Sequence, residues 1–205
     1  MRSPDTGDPP DALAPALAAL EAHWHGLRGP RLMPARGEIR ARDIDPALPC
    51  LFLAEPVAPS VLRIRHAGRS FAGVAGMEPR GMPLCAFFTP EGRAALRPLL
   101  AEMQERPAIL GLDLIAGRGI VAPRVAARLL ILPLSDTGLR PDCFVGVLAC
   151  PAAVQRPLRF DIGAGPVRLD PLQAGAARPR LVASGGLRRA GHAPRPALRL
   201  VVANG

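Results

Sequence analysis

Apolar positions along this chain change their period several times, and each change marks an element. Leu13, Leu17, Leu20, Trp24 and Leu27 recur at alternating intervals of four and three residues, which places a narrow apolar seam along one side of an α-helix. Asp8 or Asp11 would cap that helix, and Pro15 suits its first turn. From residue 51 the pattern shortens. LFLAEPV (51–57) reads as a strand ended by proline, and VLRIRHAG (61–68) alternates strictly. Leu62, Ile64 and His66 fall on one face, with Val61, Arg63, Arg65 and Ala67 on the other. The linker APS makes the two a hairpin.

Glycine-bearing sequence follows, and a helical period returns. Thr89-Pro90-Glu91 combines a cap, a first-turn proline and an acid near the positive helix end. Leu96, Leu99, Leu100 and Met103 give that helix an apolar face, and Arg106-Pro107 ends it. Three strand patterns come next, at 108–117, 125–134 and 143–150, separated by turn-rich GRGIVAP and SDTGLRPD. Two strands, a helical crossover and three strands predict an α+β fold, a five-stranded antiparallel sheet with the crossover helices on one face. An N-terminal helix precedes it. Within GPRLMPARGEIRARDIDPALP (29–49), Asp45 and Pro46 open a short helix. The expected organisation is a lead-in and amphipathic helix (1–28), the domain with its connector (29–150) and a basic extension (151–205). In the extension, LRFDIG, PVRLDPL, PRLVA and ALRLVVA fit weak edge strands and an irregular tail equally well.

Charge sharpens this division. The net charge of +9 comes from arginine alone, because the chain has no lysine. Residues 1–150 hold 17 Arg against 15 acids, whereas 151–205 hold 9 Arg against 2. Such a tail suits nucleic acid, anionic lipid or an acidic protein; GC-biased coding is the simpler account of it. Without lysine or tyrosine there is no P-loop lysine, Schiff-base lysine or tyrosine acid. Cys50, Cys85, Cys143 and Cys150 are too widely spaced for a CxxC centre and read as isolated thiols. No apolar run approaches membrane-spanning length, and MRSPDTGDPPD has no secretory core, so a cytoplasmic location is expected.

The local motifs carry a resemblance. LPCLFLAEPV, RIRHAGRSFAGVAGMEPRGMPLCAFFTPEGRAAL, AARLLILPLSDTG and FVGVLA occur in that order. With them go Trp24, Arg36, Asp43, Asp45, Pro46, Arg63, Arg65, Ala67, Gly68, Gly76 and Arg80-Gly81. Over residues 20–150 the chain resembles the short stand-alone PAS-like proteins of α-proteobacteria, the PAS_5 type. The resemblance implies a non-enzymatic sensory or regulatory module, with a pocket between sheet and helices that either takes a small apolar ligand or fills itself with side chains, and with output through a partner protein. Its lining would be Phe52, Ile64, His66, Phe71, Leu84, Phe87, Phe88, Leu114, Leu130, Leu132 and Val145. It also implies a homodimer, for which the seam of Leu13, Leu17, Leu20, Trp24 and Leu27 is placed; packing on the chain's own core is the alternative. No cofactor is assigned.

Chemical readings of the same residues are weaker. Gly68-x4-Gly73 begins a phosphate loop, but Val74-Ala75 stand where Lys-Ser/Thr is needed. GRSFAG has one residue too many for a nucleophile elbow. His66 would face the pocket as a ligand to haem or simply as a hydrogen-bonded core residue. His23 and His25 point apart on a helix. PLCAFF around Cys85 lacks the reactive-cysteine motif of flavin photoreceptors. Arg63 and Arg65 would pair with Asp43 or Asp45, or present a stripe to an acidic partner. No metal cluster or nucleophile–base spacing stands out. A nucleic-acid binder acting through arginines of 156–199 is the second functional reading; it would hold phosphate and weaken with salt.

Overall fold

A computed structural model describes residues 13–117, 124–151 and 157–174. Helix α1 (Ala14–Arg28) starts at Pro15's turn, with Leu13 at the cap position and no side-chain capping bond; Asp8 and Asp11 lie outside the described residues. The connector runs as short 3-10 turns, the last being Asp45–Cys50, so Asp45 sits inside that turn and Ile44 takes the cap position. Strands β1 (Leu51–Ala58) and β2 (Val61–Ala67) form the hairpin, turned at Pro59-Ser60 with Ser60 at φ 58°. Helix α2 (Arg69–Ala75), a 3-10 turn (Leu84–Phe87) and helix α3 (Pro90–Glu105) make the crossover. The Thr89 side chain accepts from the Gly92 N–H at 3.0 Å, the cap that its sequence announces. Strands β3 (Ala108–Ala116), β4 (Val125–Leu134) and β5 (Cys143–Ala149) complete the five.

All five pair antiparallel in the order β2-β1-β5-β4-β3. Two short strands from the extension are added beyond them. β6 (Phe160–Ile162) and β7 (Arg168–Pro171) pair in succession along β3, opposite Leu114–Ala116 and Ala108–Gly111. They are the LRFDIG and PVRLDPL pieces; PRLVA and ALRLVVA lie outside the described residues. An exposed β3 would present a row of unpaired backbone groups, and the two strands satisfy them.

Strict alternation divides the core in two. On one face Phe52, Leu62, Ile64, Leu112, Leu114, Leu129, Ile131 and Phe144 pack under α2, the Leu84–Phe87 turn and α3. On the other, Ile109, Leu130, Leu132, Leu134, Val145 and Val147 pack under α1 and the connector. The sheet is thus buried on both sides, which is why β4 and β5 read as nearly continuous apolar runs. Among the described residues no helix is long and apolar enough to cross a membrane.

Candidate functional site

The packed layer between the sheet and α2, the Leu84–Phe87 turn and α3 is built almost wholly from hydrocarbon. Phe52, Phe71 and Phe87 form a chain of rings, with centroids 5.5 and 5.2 Å apart. Ile64, Leu84, Phe88 and Leu114 are buried in the same cluster. Seven of the eleven residues expected to line a pocket are therefore brought together. A ligand here would meet apolar contact, because among the described residues the buried polar side chains, Arg28 and Ser135, lie outside this cluster. Cys85 and Cys150 stand at its margin. Burial, with Cys50 nearby as a second cause, pushes the Cys150 thiol up to about 12, so at neutral pH it is no thiolate.

Four residues fall elsewhere. Leu130, Leu132 and Val145 point to the opposite face, into the cluster of Leu20 and Trp24. A doubly buried sheet offers two apolar faces with the same period, and the alternation alone does not say which one meets the crossover helices. His66 is exposed. Alternation from Leu62 and Ile64 would bury it, but the β1–β2 register slips: Ala54 pairs with Ile64 whereas Leu53 pairs with His66. The bulge at Arg65 turns His66 to the outer face and brings Ala67 inward opposite Phe52. His66 does not line the interior.

The seam of α1 is spent within the chain. Leu20 and Trp24 are fully buried against β4 and β5. The Trp24 Nε1–H donates to the Pro133 carbonyl at 2.9 Å. Leu13 is buried in the same cluster, Leu17 packs against it, and Leu27 is half-buried. Arg28 lies 5.7 Å from the Trp24 ring centroid and donates to the Gln173 carbonyl. Of the two readings of the seam, packing on the chain's own core is the one observed.

Arg65 and Arg36 both grip Glu55, at 2.6 and 2.7 Å. The connector is thus tied to the sheet, as expected for the arginine pair, but through Glu55 rather than Asp43 or Asp45. Arg63 is exposed, with no ion pair among the described residues. A shallow groove of about 230 Å³ beside α1 is bordered by Glu21, Asp113, Arg128 and Arg168. Arg168 meets both Glu21 oxygens, at 2.9 and 2.7 Å, and its Nε donates to Asp170 at 2.6 Å. Arg128 donates to Asp113 at 3.2 Å.

Leu158 and Phe160 belong to the interior and were not among the residues expected there. Leu158 and Phe160 are buried in the inner cluster, the Phe160 ring 6.2 Å from Phe88. The only signal for them was the apolar alternation of LRFDI, too short to separate an edge strand from tail.

A family model described as PAS domain, PAS_5, matches residues 13–149. No curated protein matches the chain. Among solved structures, the Rhodobacter sphaeroides LOV protein aligns at 16% identity and TM-score 0.37, over 51% of this chain and 60% of that one. An RNA-binding light-oxygen-voltage receptor aligns at 16% and 0.37, over 73% and 36%. A PAS domain of an HTR-like protein from Haloarcula marismortui aligns at 13% and 0.34, over 49% and 81%. The chain thus spans less than two thirds of the length of the first two. The strand order, the crossover helices on one face of the sheet and the family match from Leu13 to Ala149 agree, and the chain belongs to the PAS_5 family of PAS domains.

Proposed function

We propose that the chain is a non-enzymatic sensory module whose interior, between the sheet and α2–α3, takes a small apolar ligand and whose response passes to a partner protein. The observation that carries this is the wholly apolar ring cluster of Phe52, Phe71 and Phe87 where a PAS domain places its ligand. Absorption and native mass spectra of the protein purified without denaturant test it. A retained apolar molecule is expected. Its absence, together with no binding of apolar probe dyes, overturns the reading. A homodimer would use a surface other than the α1 seam; multi-angle light scattering decides it, and a monomer at high concentration removes the dimer from the proposal.

Nucleic-acid binding is the second reading, favoured by the arginine excess of residues 151–205. The six phenylalanines and the one tryptophan are all buried among the described residues, so none of these rings is on the surface for base stacking. Contact would be to phosphate and steeply salt-dependent. A filter-binding salt series on the full chain against residues 1–174 separates the tail's contribution; equal binding by both removes this reading.

A further inference from the structure

Residues 157–163 lie against the domain as a ligand lies in a site. Leu158 N–H donates to the Val74 carbonyl at 2.9 Å, and Pro157 sits on Gly76 at the end of α2. Phe160 then enters the interior beside Phe88. Its carbonyl accepts from the Thr89 N–H at 2.9 Å, and the Asp161 carboxylate accepts from the Thr89 hydroxyl. At Gly92 a Cβ would strike the Phe160 carbonyl oxygen, so the glycine gives the strap its seat. Gly163 N–H donates to the Asp113 carbonyl at 2.7 Å as the strap leaves. An apolar hole, a backbone N–H and a hydroxyl at the first turn of the 16-residue α3 thus receive a ring, a carbonyl and a carboxylate. A purely steric plug would need only the ring. The acid is held where the helix field favours an anion, and the whole strap lies beyond the family match that ends at residue 149.

We propose that Phe160-Asp161 is a built-in occupant of a ligand mouth between α2, α3 and β3, and that this mouth accepts in trans an arylalkanoic acid, a flat apolar ring with a carboxylate a few carbons away, which displaces the strap. The inference rests on reading the interior as a ligand site. β6 is three residues long, and short peripheral elements open locally at lower cost than core strands. Strap and ligand exclude one another, so the apparent affinity is the intrinsic one reduced by the fraction of open molecules.

The test uses the full chain with 3-phenylpropanoate as probe, followed by hydrogen exchange and calorimetry. In the wild type the probe raises exchange at the Leu158 and Gly163 amides while β4 and β5 stay protected. F160A removes the internal occupant and binds the probe at least about tenfold more tightly; F160L, which keeps most of the volume, serves if F160A does not fold. The uncharged 3-phenylpropanamide binds more weakly. Unchanged affinity in both variants, or binding with the strap amides still protected, overturns the inference. A neutral apolar dye that enters the wild-type interior beneath a protected strap overturns it too and leaves the proposed function standing. Failure of every apolar probe to bind wild type and variants overturns both.

Discussion

Gly68 and Gly73 belong to one glycine-rich run, yet their surroundings ask opposite things of them. A Cβ on Gly68 would strike the backbone carbonyls of Leu48 and Pro49, whereas one on Gly73, inside α2, meets nothing within 4 Å. Gly68→Ala should therefore destabilise by about 1–3 kcal/mol, since the clash is with backbone. Gly73→Ala should stabilise by about 0.5–1 kcal/mol, as expected for an open helical site. Paired urea melts check both signs. Glu55 gives a pH signature. Burial works to raise its pKa, but the hydrogen bonds from Arg36 and Arg65 outweigh it and hold the carboxyl below the ordinary range. A depressed folded-state pKa contributes stability above the unfolded value of about 4.3, lost as pH falls through the folded one. Glu55→Gln should flatten the acid limb of a stability-against-pH curve below about pH 5 and cost stability at neutral pH. At this scale the sequence misleads at His66. A bulge adds one residue to one strand and leaves no mark in a seven-residue alternation, so its effect on facing is visible only in the register.

At the scale of elements, α1 acts as the cover of the outer sheet face. Substituting Leu17, Leu20 and Trp24 with polar residues should unfold the chain or leave it molten, rather than yield a folded monomer. Circular dichroism read beside light scattering distinguishes the outcomes; a folded variant with a smaller assembly state would return the seam to an interface. Trp24→Phe should cost about 1–3 kcal/mol, because the Pro133 carbonyl loses its buried donor. The helix itself was legible from Leu13 to Leu27, and so were the cap at Thr89 and every strand of the five. What the seam packs on was not. A four-three spacing reports an apolar stripe, and such a stripe fits the chain's own sheet as well as a second copy. The same ambiguity put Leu130, Leu132 and Val145 on the wrong side.

For the whole molecule, the C-terminal strap decides where the domain ends. A chain cut after Pro151 loses Leu158 and Phe160 from the core and bares the β3 edge. It should melt below residues 1–174 by several kcal/mol, given that deleting one buried phenylalanine alone costs about 3–5, and it should aggregate more readily. Calorimetric melts of the two truncations check this; equal midpoints would make the strap a surface ornament. The five-stranded frame was readable because long alternating strands separated by turn residues leave few topologies open. The strap was not, because its contacts are single residues (Leu158, Phe160, Arg168, Gln173) meeting partners far away in the chain.

One residue supplies a built-in reporter of these arrangements. Trp24 is the chain's single tryptophan, and there is no tyrosine. Near-ultraviolet emission excited at the indole band therefore comes from one ring, sealed between α1 and the sheet and bonded to Pro133. Any stimulus that lifts the helix must hydrate that ring and move its emission to longer wavelength. Unlabelled protein can thus be followed optically, with α1 docking as the quantity observed.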